Sequence, residues 1–253
     1  MKTPYSIRGA SVWCPSHAPE DPTANLLPKR LRARTSVLTR MLAHVAEVAV
    51  AQSGLSISKL PMIVGSAFGE MDITRKLLEM CFDGAGELSP ARFQLSVHNA
   101  SVGQLSIAVQ NPMFSSAIAA GFNTVAMTFV EAQAWLNTHG GDLLVLLGDE
   151  ALPDELRQEF KYEALAAAFV LGIDVPGKSG KHSGCLGTIG EVIARPTQAR
   201  NTLSLDTLPA WRSNPCEAAK QLYRMIEGQR AAELVLTPAN QSPSWSLSYC
   251  PQQ

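Results

Sequence analysis

Residues 115–121 read Ser-Ser-Ala-Ile-Ala-Ala-Gly, and this run of small residues precedes a regular apolar stripe. The stripe has mostly three- and four-residue spacing, which predicts the buried face of a helix that ends near residues 139–141. Its members are Val125, Ala126, Phe129, Val130, Ala132 and Trp135. Residues 142–150 then predict a buried strand. A small-residue loop, a buried helix and a buried strand in this order are typical of the nucleophile site of an α/β enzyme.

A second motif lies upstream of this stretch. Asn99 and Gly103 form an Asn-x-x-x-Gly spacing, followed by Ser106-Ile107 and a turn at Asn111-Pro112. Together with residues 116–121, the pattern resembles the β-ketoacyl synthases of the thiolase superfamily. In that family the loop carries a nucleophilic cysteine, and this chain has Ile118 at that position. Isoleucine has no thiol, so it cannot become the reactive thiolate that a helix N-terminus stabilises.

The resemblance therefore implies a subunit that does not catalyse condensation. Residues 96–107 resemble the small chain-length-factor-like proteins of type II polyketide synthases, in the branch associated with aryl polyene pigments. This implies a heterodimer with a catalytic ketosynthase, whose acyl tunnel the chain shapes, and a transient encounter with an acyl carrier protein. The two histidine motifs of the family's second half do not occur in the sequence. No cofactor and no metal is expected.

The fold that the resemblance implies is a thiolase-like α/β half-fold, with a mixed, mostly parallel sheet and helices on both faces. We expect one domain over residues 1–253, in which residues 1–172 match the family's N-terminal half. Residues 173–253 form a short divergent tail in place of the C-terminal half. Residues 163–172 are ambiguous, because Ala and Leu favour a helix whereas the resemblance implies a strand, and we expect the strand.

Other elements follow from local patterns. The sequence predicts strands over 5–13, 61–66, 186–194, 231–236 and 244–249, and helices from Thr35 or Ser36 to about Gln52, from about 71 to 82 and over 215–226. The apolar face of the first helix contains Leu38, Met41, Leu42, Val45, Val48 and Ala49. Gly/Lys/Ser-rich residues 174–182 predict a turn, the glycines at 83–86 end the second helix, and residues 89–100 predict a loop.

Seven residues are implied to line the acyl tunnel or the dimer interface. Phe68 and Phe93 stand where ketosynthase subunits reach across the interface toward the partner's tunnel, and the helix after Phe68 forms a second candidate wall. The full set is Phe68, Ile73, Leu77, Leu78, Phe93, Phe114 and Ile118. The alternative for these side chains is an ordinary place in the hydrophobic core.

Several polar residues have a functional and a structural interpretation. His98 and the pair Asp149-Glu150 are expected to be structural, and Ser116 is expected to cap the following helix rather than to act as a nucleophile. The proximity of His182 and Cys185 suggests a catalytic pair, but no family motif matches it. A basic cluster is either a solvated loop or a contact for an acidic carrier protein; it comprises Lys29, Arg30, Arg32 and Arg34.

Composition limits the remaining function classes. The chain has 253 residues, of which 46% are hydrophobic and 17% charged, and its net charge of -1 provides no electrostatic basis for nucleic-acid binding. The five cysteines lack a CxxC spacing and indicate free thiols in a reducing cytosol. No signal peptide or membrane-spanning run is apparent, which predicts a cytoplasmic protein. Two alternative functions are a stand-alone acyltransferase or hydrolase on a shortened thiolase fold, and a carrier-protein-binding module.

Overall fold

Helices cover both faces of one mixed β-sheet in the computed structural model of the chain, which describes residues 4–18, 20–82, 90–154, 162–173, 184–195, 213–237 and 243–252. The helices are α1 (Lys29–Arg32), α2 (Val37–Ser53), α3 (Met71–Phe82), α4 (Pro90–Ser96), α5 (Ala100–Ala108), α6 (Thr124–His139) and α7 (Glu217–Glu227). The strands are β1 (Tyr5–Trp13), β2 (Met62–Gly65), β3 (Ser115–Ile118), β4 (Gly141–Asp149), β5 (Leu165–Ile173), β6 (Gly187–Ile189), β7 (Ile193–Arg195), β8 (Ala232–Val235) and β9 (Ser244–Pro251).

Strand order places β3 at an edge of the sheet. The order runs β3-β2-β4-β5-β1-β6-β9, and β7 and β8 also pair with β9. β2 pairs in parallel with β3 and β4, whereas the other described pairs, from β4–β5 through β8–β9, are antiparallel. The mixed α/β half-fold is therefore as predicted. The described sheet contains fewer parallel pairs than the mostly parallel sheet expected from the sequence, because β5 runs antiparallel to both of its neighbours, β4 and β1, and the pairs from β1–β6 onward are also antiparallel.

The alternation of side chains along β4 divides the core into two halves. Leu143, Val145 and Leu147 face α6 and α7, whereas Leu144 and Leu146 face α2 and α5. All five leucine and valine side chains are fully buried. Burial on both faces explains why β4 is apolar from Leu143 to Leu147, and each such side chain contributes on the order of 1.5–3 kcal/mol to the free energy of folding.

The caps of α2 confirm the predicted helix. The Ser36 side chain accepts a hydrogen bond from the Thr39 N–H at 2.9 Å, and Gly54 ends the helix in a left-handed conformation with φ 68°. The predicted apolar face is buried except for Val48, which is exposed. The strand predicted over 163–172 is also confirmed, because β5 occupies the centre of the sheet between β4 and β1.

Two segments predicted as loops are regular elements. Residues 115–118 form β3, because β2 supplies a parallel partner for a stretch whose Ser and Ala residues alone do not favour a strand. The helix α4 occupies 90–96 within the predicted loop 89–100. Pro90 is its first residue, a position where proline has a favourable φ and the missing N–H costs nothing.

The C-terminal residues belong to the same sheet and core. β6 pairs with β1, β9 pairs with β6, and Ala219 and Leu222 of α7 pack in the core half that contains α6. The described part of residues 173–253 therefore extends the sheet and covers one of its faces. The predicted turns at 83–86 and 174–182 lie outside the described residues. None of the helices in the described ranges is both long and apolar enough to cross a membrane.

Gly9 on β1 tests the close contact between the sheet and α2. A Cβ atom at this position would overlap the backbone carbonyl oxygen of Ala49, which cannot move without distorting α2. We expect Gly9→Ala to lower the free energy of unfolding by about 3 kcal/mol or more in urea denaturation, because overpacking against backbone forces strain.

Gly103 on α5 provides the control, since a Cβ atom there meets no atom within 4 Å. Gly103→Ala is expected to raise stability by about 0.5–1 kcal/mol through reduced backbone entropy of the unfolded chain. Equal effects of the two substitutions would contradict the described contact.

Candidate functional site at the end of β3

The strand-to-helix connection that follows β3 has no nucleophilic group. Ile118 is the last residue of β3, and the chain then passes Ala119 and Ala120 to Gly121, whose φ of 54° starts the turn into α6. The Thr124 hydroxyl, the first one after this turn, donates to the Gly121 carbonyl at 2.7 Å. Ile118, Ala120 and Gly121 carry no nucleophile, and the assignment of Ile118 to the nucleophile position stays a prediction.

The predicted cap role of Ser116 is wrong. Ser116 lies in the middle of β3, paired with Ile63 of β2. α6 begins only at Thr124, and its N-cap residue Asn123 makes no side-chain cap hydrogen bond. The prediction failed because it assumed that the helix begins immediately after residue 116.

The turn between β2 and α3 lies directly beside Ile118. The Ser66 N–H donates to the Ile118 carbonyl oxygen at 3.1 Å, and His98 Nε2 lies 3.4 Å from the same oxygen. The His98 ring also lies against Gly69, where an added Cβ would come within 2.7 Å of Nδ1. His98 is therefore a hydrogen-bonding residue between two loops, in the structural role that the sequence indicated.

Asp149 holds the β2–α3 turn in place. This fully buried carboxylate accepts hydrogen bonds from the Ser66 hydroxyl at 2.7 Å, the Ala67 N–H at 2.9 Å and the Phe68 N–H at 2.9 Å. Burial raises the pKa of Asp149, and these donors oppose the shift. Because every donor points at the carboxylate, the ionised form matches the geometry of the turn.

The N-terminus of α7 meets Asp149 from the other side. The Cys216 thiol donates to Asp149 Oδ2 at 3.6 Å, and burial, followed by the Asp149 charge, raises the pKa of that thiol well above its usual range. Asn214 donates to the main-chain oxygens of Asp149 and Glu163, at 2.9 and 3.1 Å. Sequence reasoning missed Asn214 and Cys216, because contacts between residues 51 to 67 positions apart leave no local pattern.

Two further buried carboxylates lie at the same turn. The Glu150 side chain accepts the Asp72 N–H in the first turn of α3 at 3.1 Å, and Glu70 Oε1 accepts the Thr39 hydroxyl of α2 at 3.2 Å. Burial raises the pKa of Glu150, and nearby Asp72 and Asp149 add to this. Burial likewise raises the pKa of Glu70 to about 7, with Glu150 adding to the shift and the Ser36 and Thr39 hydroxyls opposing it.

The seven residues predicted for the tunnel or interface occupy three places. Phe68 and Ile118 lie together, linked through Ser66, and both are partly buried. Phe114 precedes the opposite end of β3 and is about 13 Å from Ile118 at the usual rise per residue of a strand. Its ring stacks on that of Trp135, with the ring centroids 6.5 Å apart.

The α3 and α4 residues divide between core and surface. Leu77 is buried and Ile73 partly buried, whereas Leu78 is 52% and Phe93 61% exposed. Phe82 at the end of α3 is 86% exposed. Leu78 and Phe82 on α3, Phe93 on α4 and Phe114 next to β3 are thus exposed apolar side chains, and it remains a prediction that they meet a partner.

The other candidate residues are separated from this site. Lys29, Arg30 and Arg34 are exposed in and after α1, and Arg32 donates to the Leu27 carbonyl oxygen at 3.2 Å. The Cys185 thiol donates to the Gly187 carbonyl oxygen at 3.1 Å, and His182 lies outside the described residues. Within the described ranges, no three His, Cys, Asp or Glu side chains are arranged to hold a metal ion.

Asp149→Asn tests whether the hydrogen bonds from Ser66, Ala67 and Phe68 to this carboxylate hold the β2–α3 turn in place. An amide in place of the carboxylate directs an NH2 group at the donors of Ser66, Ala67 or Phe68, so at least one buried donor loses its acceptor. We expect a loss of about 2–4 kcal/mol in the free energy of unfolding, measured by urea denaturation.

Asp72→Asn is the matched control, because its partly exposed ion pairs with Arg75 and Lys76 contribute less than about 1 kcal/mol. If Asp149→Asn lowered the free energy of unfolding by no more than Asp72→Asn does, the proposed role of Asp149 in holding the turn would be refuted.

Solved structures with a similar fold come from condensing-enzyme complexes. A chain of the ketosynthase ApeO in complex with its chain length factor ApeC, from Xenorhabdus doucetiae, aligns with a TM-score of 0.67 at 17% identity, covering 98% of this chain and 100% of that one. A chain of the type II PKS complex AntDE:AntF, an acyl-carrier protein with its ketosynthase bound to the hexaketide, gives 0.73 at 13% identity and covers all of both chains. The ishigamide ketosynthase/chain length factor gives 0.59 at 15% identity, with coverages of 77% and 68%.

Sequence comparison assigns the family directly. No curated protein matches this sequence. A family model described as the β-ketoacyl synthase N-terminal domain matches residues 10–212, which is most of the chain and extends beyond residue 172. The resemblance inferred from the Asn-x-x-x-Gly motif and residues 116–121 is thereby confirmed, and the chain belongs to the β-ketoacyl synthase N-terminal domain family.

Proposed function

We propose that the chain is a non-catalytic, chain-length-factor-like subunit that pairs with an active ketosynthase and shapes its acyl tunnel during polyene or polyketide elongation. The observation that carries this proposal is the connection Ile118–Gly121, which has the strand-to-helix geometry of a nucleophile site but no nucleophile. Without a thiolate no acyl-thioester forms at this position. The similarity to chains of ketosynthase/chain length factor complexes supports the same role.

The unpaired edge of β3 is a second argument that the chain binds a protein partner. β3 pairs only with β2 among the described strands, so its other edge has free N–H and C=O groups for a further strand. Phe114 lies exposed next to β3, and Leu78, Phe82 and Phe93 lie exposed on α3 and α4, which reach β3 through α5. Exposed apolar side chains on several adjoining elements are typical of a protein–protein interface. By the family resemblance, the partner at this edge is the ketosynthase.

A contact with an acyl carrier protein follows from charge. Lys29, Arg30 and Arg34 are exposed on or next to α1, and a carrier protein of this class has an acidic surface. Exposed charges of opposite sign chiefly increase the rate of encounter, which suits a transient contact. We therefore place the carrier protein near α1 and the ketosynthase at the β3 edge.

Complex formation is the first test of this proposal. The chain is co-expressed with a catalytic ketosynthase from the same organism, and the product is analysed by size-exclusion chromatography with light scattering. We expect a stable one-to-one complex and a chain that aggregates when expressed alone, because the β3 edge and the exposed apolar side chains are then uncovered. A soluble monomer that does not bind the ketosynthase would favour a stand-alone acyl-transfer or carrier-binding role instead.

Phe93→Ala tests the tunnel role within that complex. Removing the exposed ring widens the space that it bounds in the partner's tunnel, so we expect longer products with synthesis retained, measured by mass spectrometry of the products. Ile193→Ala on β7 is the control, because Ile193 is similarly exposed, at 51%, but lies at the other end of the sheet. Unchanged product length in Phe93→Ala would exclude this residue from the tunnel.

A further inference from the structure

Glu70 is the one carboxylate of the β2–α3 turn whose hydrogen bonding is incomplete. Its side chain is 2% exposed, and Oε1 accepts the Thr39 hydroxyl at 3.2 Å. Oε2 is buried and has no hydrogen-bond partner among the residues that the structure describes. The Ser36 hydroxyl has a single hydrogen, which it donates to Thr39 Oγ1 at 3.0 Å, and it can donate to Glu70 only by giving up that bond. An ionised carboxylate at this position therefore either has one oxygen without a donor or takes the Ser36 hydrogen from Thr39, and both are costly in a buried site.

The neighbouring carboxylates are better accommodated. Asp149 accepts three hydrogen bonds from the turn and a fourth from Cys216. Glu150 accepts the Asp72 N–H and borders a cavity of about 350 Å³ whose lining includes Asp72 and Arg75. Of the three acids at this turn, Glu70 consequently has the strongest reason to bind a proton.

The charged and titratable groups around Glu70 come from every element at this turn. From the end of β4, Glu150 acts on it directly. From α3, Asp72 and Lys76 act on Glu150, and Arg75 forms ion pairs with Asp72 and Glu79.

Two other elements complete the surroundings. From α2, Glu70 meets the neutral hydroxyls of Ser36 and Thr39. From the segment before α5, the His98 ring lies against Gly69, the residue before Glu70. The direct electrostatic influence on Glu70 is therefore the negative charge of Glu150, which favours the protonated form.

We propose that Glu70 is a proton-responsive switch, which holds the β2–α3 turn rigid when protonated and loosens it when ionised, and thereby controls affinity for the ketosynthase. Gly69 has φ 62°, a conformation that glycine adopts without strain, so the backbone beside Glu70 is held by its contacts rather than by its own preference. The same turn carries Phe68 and contacts the end of β3 through Ser66. The effect on affinity rests on the proposed pairing with a ketosynthase, whereas the effect on the turn does not.

The raised pKa of Glu70 determines how the stability of the turn depends on pH. The pKa of Glu70 is raised from 4.5 to about 7, so between these values the folded chain retains a proton that the unfolded chain has released. The stabilisation is complete below this window and is lost as pH rises through about 7. The turn is thus expected to be firm at pH 6 and looser at pH 8.

Hydrogen exchange of the turn is the first readout. Exchange of the backbone amides of Ala67 and Phe68 is measured at pH 6 and pH 8 in the full chain, alone or in complex, and corrected for the intrinsic rate. In the wild type we expect the protection factor of these amides to be about tenfold or more lower at pH 8 than at pH 6. Glu70 loses its proton near pH 7, one unit above the lower pH, and one unit corresponds to a factor of ten in the opening equilibrium. Glu70→Gln, which is neutral at both pH values, is expected to change by less than about threefold.

Two variants complete the design. Glu79→Gln removes an exposed carboxylate from α3, the helix that follows Glu70, and is expected to behave as the wild type. Thr39→Val removes the hydroxyl that lowers the pKa of Glu70, so it is expected to move the midpoint of the pH dependence upward. A midpoint shift requires titration of Glu70 and does not follow from a purely structural role.

Dissociation of the complex is the second readout. The Kd for the co-purified ketosynthase is expected to rise between pH 6 and pH 8 in the wild type and Glu79→Gln, but not in Glu70→Gln. Equal pH dependence of protection in the wild type and Glu70→Gln would overturn the switch. A pH-dependent turn with an unchanged Kd would overturn its control of affinity. If no complex forms at any pH, the proposed function fails, while the exchange measurement still decides whether Glu70 controls the turn.

Discussion

The Asp149 carboxylate lies fully buried and receives its hydrogen bonds from uncharged groups: two backbone N–H groups, the Ser66 hydroxyl and the Cys216 thiol. These donors come from the β2–α3 turn and from the N-terminus of α7, which are far apart in sequence. A buried charge needs such donors, because the alternative is an uncompensated ion in the core. The position of the turn, and through Ser66 the position of the β3 end, therefore depends on this single side chain.

Helix N-termini add to the stabilisation of the buried acids. Glu150 accepts an N–H in the first turn of α3, and Asp149 accepts from Cys216 immediately before α7. The partial positive charge at a helix N-terminus favours a carboxylate without introducing a lysine or arginine into the core. Three acids thus cluster at one end of the sheet, and Glu70, whose second oxygen has no partner in the described residues, is the least compensated of them.

The sequence predicts those parts of the fold whose signals are local. The apolar stripe of α6, the Ser36 and Gly54 caps of α2 and the apolar run of β4 each follow from a few neighbouring residues. β3 does not, because four small residues become a strand only when β2 lies beside them. Proline at position 90 is compatible with a loop or with a first helical residue, and the choice depends on packing against α3 and α5. In the candidate site, the missing nucleophile is visible in the sequence, whereas Asn214, Cys216 and the unsatisfied Glu70 oxygen depend on distant contacts.

The contact between Cys216 and Asp149 also gives this site a chemical reporter. Cys14 and Cys216 are buried, while Cys81 and Cys250 are exposed. Only the thiolate reacts with alkylating reagents, and burial beside a carboxylate keeps Cys216 in the thiol form. Labelling of Cys216 therefore requires α7 to separate from Asp149, so its rate measures how often the core opens at this point, whereas Cys81 and Cys250 measure only the reagent's access to the surface.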